Sequence, residues 1–99
     1  KLNRPVLNLE EPTAVSDQEK KYRDCYLLLE KLYHQLNGSL NTRTDILNCA
    51  YALGFERDYG LDLIGYLKVN GFIESLGQTT KVMLTAYGLQ TAQRIDLAA

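Results

Sequence analysis

Three glycines, Gly38, Gly54 and Gly71, cut the middle of this chain into segments, and each stands where a helical apolar period stops. Glycine enters the left-handed conformation that closes a helix at little steric cost, so this punctuation commits residues 16–71 to three successive helices. The first opens on the S-x-x-E capping box Ser16-Asp17-Gln18-Glu19, whose hydroxyl and carboxylate each accept from an orphan N–H. It continues through Tyr22, Cys25, Tyr26, Leu29, Leu32, Tyr33 and Leu36 to Asn37-Gly38. The second is expected to use Thr42 as N-cap, with Asp45 three residues on, and to bury Ile46, Leu47, Cys49, Ala50 and Leu53. The third runs from about Asp58 to Asn70.

The flanks read differently. Residues 1–15 hold both prolines, Pro5 and Pro12, and no helical period, which predicts an extended N-terminal arm. Beyond Gly71, Phe72–Leu76 and Lys81–Thr85 have β-rich character around the polar connection Gly77-Gln78-Thr79-Thr80, the pattern of a hairpin. Thr85 is placed to cap a last helix through Leu89, Ala92 and Ile95, mildly interrupted by Gly88. The expected fold is mainly α with a small β-hairpin (α+β), in the order arm-α-α-α-β-β-α, with residues 16–99 as one domain.

Composition narrows the function classes. A chain of 99 residues supports a single modest core. The net charge of −1 lacks the excess of Lys and Arg by which a dedicated polyanion binder neutralises phosphates. Cys25 and Cys49, far apart and outside any CxxC pattern, read as reduced core thiols of a cytoplasmic protein. No apolar run reaches the length of a membrane span. The chain opens on Lys1 rather than methionine, so a piece excised from a longer protein is one expectation. There is no phosphate-binding glycine loop, G-x-S-x-G elbow or H-E-x-x-H, so the chain is not read as an enzyme, and no cofactor is assigned. His34, the single histidine, has no sequence-adjacent carboxylate or cysteine partner and is assigned neither as a metal ligand nor as a base.

Three local patterns then carry a family resemblance. Ala52-Leu53-Gly54-Phe55 looks like the end of a second helix and its turn. Leu67-Lys68-Val69-Asn70-Gly71-Phe72-Ile73-Glu74 is similar to the junction of a third helix and a β-wing. Leu84-Thr85-Ala86-Tyr87-Gly88-Leu89-Gln90-Thr91-Ala92 is similar to the passage from wing to following helix. Together, over about residues 17–98, they resemble the winged helix-turn-helix superfamily, especially MarR/PadR-like bacterial regulators. The resemblance implies a DNA-binding transcriptional regulator. It also implies a register for the third helix in which Gly60, Leu63, Ile64 and Leu67 face the core, while Tyr59, Asp62, Tyr66 and Val69 face outward, flanked by Asp58, Leu61 and Gly65.

That outward face fits DNA poorly. It offers none of the Arg, Lys, Asn or Gln side chains that usually read base edges, and from Gly54 to Ser75 two cations, Arg57 and Lys68, stand against four carboxylates. The DNA-contact candidates are Thr42, Arg43 and Thr44 at the expected start of the second helix, Arg57, Tyr59, Asp62, Tyr66 and Lys68 on the third, and the wing turn Gln78, Thr79, Thr80 and Lys81. Lys20, Lys21 and Arg23 form a further basic cluster on the first helix. The alternative is a winged-helix protein-interaction or assembly module without DNA binding, using Tyr59, Leu61, Gly65, Tyr66 and Val69 as its partner interface. A homodimer through the first helix, the arm or the last helix is also expected, because the first helix is long and rich in tyrosine.

Overall fold

The computed structural model describes residues 17–75, 77 and 79–98; the arm, Ser16 of the capping box and Gln78 lie outside the described residues. The first helix, α1 (Asp17–Gln35), carries Asp17 and Glu19 in its first turn, where carboxylates suit the helix dipole. Cys25, Leu28, Leu29 and Leu32 recur at helical spacing and are fully buried, which makes α1 the spine of the core. It stops where the glycine punctuation places its end. Asn37 and Gly38 both turn to positive φ, and the Gly38 N–H donates to the Tyr33 carbonyl at 3.1 Å.

The next segment departs from expectation. Thr42 does not cap the second helix; its hydroxyl lies 3.1 Å from that of Ser39. Residues Thr44–Asp45 form a short strand, β1, and Asp45 is the N-cap, accepting from the Leu47 N–H at 3.0 Å. Helix α2 therefore spans only Ile46–Ala52. Asp45 wins because its carboxylate satisfies a first-turn donor while residues 44–45 stay extended and pair with a neighbouring strand. Gly54, at φ +86°, turns the chain into α3 (Arg57–Val69).

Helix α3 buries Gly60, Leu63, Ile64 and Leu67, the expected inner stripe. Gly60 lets it approach α2 closely, since a Cβ there would stand 3.1 Å from that of Ala50. After Gly71 come β2 (Ile73–Glu74), β3 (Lys81–Leu84) and α4 (Ala86–Ala98). The sheet is antiparallel in the order β1-β3-β2, with Thr44 opposite Val82 and Ile73 opposite Leu84. The hairpin is thus present, and β1 adds a strand that two residues of sequence are too short to announce. Val82 and Leu84 point inward beneath the helices and complete the core.

Thr85 caps α4 as expected, its hydroxyl accepting from the Gly88 N–H at 3.0 Å and donating to the Gly71 carbonyl. Its own N–H donates to the Phe72 carbonyl at 3.1 Å. Gly88, expected only to weaken the helix, is instead required: a Cβ there would lie 1.9 Å from the Phe72 carbonyl oxygen. The architecture is mainly helical α+β with a small three-stranded sheet, and no helix among the described residues is long and apolar enough to cross a membrane.

Candidate interaction surface on α3

The inner stripe of α3 is as expected, and the outer one is rotated. Tyr59 and Tyr66 are half-buried and lean onto α1 rather than into solvent. Tyr59 donates its hydroxyl hydrogen to Asp24, a carboxylate on α1 that is only 6% exposed. Lys20 donates to the same oxygen at 2.8 Å and rests over the Tyr59 ring, 5.0 Å from its centroid. Burial alone would push the Asp24 carboxyl up, but the hydrogen bonds from Lys20 and Tyr59 and the nearby positive charge outweigh it and hold the group below its ordinary value. Burial and the Asp24 carboxylate together push the Tyr59 phenol up. Tyr59 therefore joins α3 to α1 through its hydroxyl.

Tyr66 packs its ring on Tyr22, centroids 5.3 Å apart. Asp62 is exposed and holds Lys21 at 2.7 Å. On α3, Arg57, Asp58, Asp62 and Val69 are exposed, Gly65 is half-buried, and positions 58, 62, 65 and 69 recur at helical spacing along one face. Val69 is 86% exposed, and among the described residues nothing lies within 4 Å of where a Gly65 Cβ would be. Without that Cβ the helix surface dips, and an open groove of about 350 Å³ forms between Lys21, Leu61, Asp62, Gly65, Tyr66 and Val69. A second groove, of about 330 Å³, adjoins it over Asp17, Gln18 and Tyr22 and shares Lys21 and Tyr66 with the first. The two make one continuous surface with an aliphatic and tyrosine floor.

The cations expected to meet phosphate are dispersed or occupied. Lys20 and Lys21 are held by Asp24 and Asp62, hydrogen bonds that raise both ammonium groups above their ordinary values. Arg57 sits 3.5 Å from Asp58, and Lys68 reaches the Thr79 carbonyl at 3.3 Å. Arg43 and Thr44 do not stand in a helix N-terminus, as expected for phosphate binding, because β1 takes Thr44 and α2 begins only at Ile46. Arg43 and Lys81 remain exposed near β1 and β3, and among the described residues neither forms an ion pair within 4 Å. In the turn, Thr79 is exposed, and the Thr80 carbonyl accepts the Ile46 N–H at 2.9 Å.

Cys25 and Cys49 are free and buried, and burial pushes the Cys25 thiol up to about 11, so it is a neutral core group near neutral pH. Sequence reasoning missed the surroundings of His34. Its ring nitrogen lies 2.9 Å from Asp96 of α4 and 4.0 Å from Glu30, one turn back on α1. The Glu30 spacing was available as an i, i+4 pair, whereas Asp96 is 62 positions away and no local pattern points to it. Comparison with protein-family models, with curated proteins and with solved structures finds no match for this chain.

Proposed function

We propose that this chain is a winged-helix protein-interaction module that docks a partner on the outer face of α3 and the first turns of α1. The order α1-β1-α2-α3-β2-β3-α4, with β1 bracing the hairpin, supports the winged-helix reading. The observation that carries the interaction reading is the outer stripe itself. Where a major-groove helix would carry a row of cations and amides, α3 exposes Asp58, Asp62 and Val69 around a half-buried Gly65, and its exposed Arg57 stands beside Asp58. Carboxylates repel phosphate, while an open groove floored by Leu61, Tyr66 and Val69 gains affinity by burying apolar area. The complementary partner is a protein segment with apolar side chains, since Asp58 and Asp62 already pair with Arg57 and Lys21.

Peptides of that composition, titrated into isotopically labelled protein, are expected to shift the amide resonances of Lys21, Leu61, Gly65 and Val69, and Val69→Asp is expected to abolish the shifts. The second reading, binding of duplex DNA, is favoured by one observation, the exposed cations Arg43, just before β1, and Lys81, on the paired strand β3. Duplex retardation at low salt that weakens steeply as salt rises, with a slope flattened by Arg43→Ala or Lys81→Ala, overturns the protein-interaction reading in its favour.

A further inference from the structure

We propose that Glu30, His34 and Asp96 form a binding site for a divalent transition-metal cation, best suited to zinc, that ties α4 to α1. The site is independent of the docking surface, lying about 18 Å further along α1 at 1.5 Å of rise per residue. Glu30 and His34 project from the same face of α1, four residues apart, and Asp96 comes from the last turns of α4. Among the described residues this is the group of His, Cys, Asp and Glu side chains whose ligand atoms gather within 4.8 Å of one another.

The distances suit a shared ion. Zinc binds histidine nitrogen and carboxylate oxygen at about 2.0–2.2 Å, so two ligands on one tetrahedral ion stand about 3.4 Å apart. The His34 nitrogen is 2.9 Å from Asp96 and 4.0 Å from Glu30, values on either side of that separation. Displacements of about half an ångström at side chains that are partly exposed bring both to that separation.

Hydrogen bonding alone leaves the cluster unbalanced. Nε2 carries at most one hydrogen, so it can donate to only one of two carboxylates facing it. Asp96 occupies that donor in the present geometry, and Glu30 at 4.0 Å is beyond hydrogen-bond reach of it. A divalent cation would serve all three ligand atoms at once and offset the repulsion between two like charges. An imidazole with two carboxylates is a donor set that zinc, cobalt and nickel accept, with the remaining position open to water.

The test uses the full 99-residue chain stripped of metal, with zinc chloride titrated by calorimetry at neutral pH. One zinc per chain and a rise in the thermal midpoint are expected, and cobalt chloride should give a visible absorption band. Loss of even an outer partner weakens metal affinity by about 10–100-fold, so His34→Gln and Asp96→Asn are each expected to weaken zinc by at least tenfold. Affinity should also fall as pH falls, since the ligands bind only when deprotonated. If His34→Gln compromises the fold, Glu30→Gln keeps the His34–Asp96 contact and must still weaken zinc. Absence of both heat and midpoint shift up to millimolar zinc overturns the proposal, and so does binding that persists undiminished in these variants.

Discussion

Two helical glycines separate the closely built part of the molecule from its open part. At Gly88 an added Cβ would meet the backbone of Phe72 at 1.9 and 2.8 Å, while at Gly65 it would meet nothing among the described residues within 4 Å. Both residues stand inside helices of 13 residues, where glycine costs about 1 kcal/mol relative to alanine. At Gly88 the cost is offset by the contact it permits. The strand leaving α3 runs against the start of α4, the Phe72 ring stacks on Tyr87 at 5.0 Å, and Thr85 joins both chain segments through its hydroxyl. At Gly65 no contact within the described residues offsets it. The difference teaches that one glycine is required by the fold and the other by nothing among the described residues.

The largest test of that contrast is Gly88→Ala. Its obstacle is a carbonyl group rather than the end of a flexible side chain, so either α4 or the hairpin must shift, with loss of the Thr85 bonds. We expect a loss of about 3 kcal/mol or more, at the upper end of overpacking costs, measured as a lower denaturant midpoint with unchanged slope. A variant as stable as the parent would show that the junction yields and would remove the distinction between the two glycines.

Next in size is the link between α1 and α3. Asp24→Asn removes the charge that Lys20 and Tyr59 both address while keeping the side chain's shape. A loss of about 1–3 kcal/mol is expected near neutral pH, since a hydrogen bond to a charged group in a buried place is among the stronger ones. Because the folded Asp24 carboxyl titrates below its ordinary value of 3.8, its contribution is fully present above that value. It is lost as pH falls through the lower folded value, where the proton fills the carboxylate in both states. Thermal unfolding of parent and variant should therefore differ at neutral pH and converge in acid below pH 3.8. A gap that stays constant with pH would mean that the charge is not what holds Tyr59.

The same contrast decides what could be read from residues alone. Helix ends at Gly38, Gly54 and Gly71 are local events of backbone conformation, and all three adopt positive φ. The buried stripe of α3 repeats at helical period, which the pattern of Leu63, Ile64 and Leu67 carries openly. Tyr59 and Tyr66 sit at the border of that stripe, and a rotation that local pattern cannot resolve decides whether a border residue faces solvent or a neighbouring helix. Asp24 settles it here, and a single buried carboxylate 35 positions upstream leaves no local trace. Strand β1 was hidden for a related reason: Thr44 and Asp45 become a strand only because β3 lies beside them.

The smallest expected effect is also the one that discriminates most. Gly65→Ala places a methyl group in open space on an outward helical position, so it should raise stability by about 0.5–1 kcal/mol through reduced freedom of the unfolded chain and better helix propensity. The same methyl group fills the dip between Leu61 and Val69 where a partner segment would lie. A variant that gains stability and loses the peptide-induced resonance shifts would mean that glycine is kept at position 65 for what approaches it from outside. Equal peptide binding by parent and variant, with stability raised, would show instead that no backbone comes close to this face, and the groove would lose its claim as the docking site.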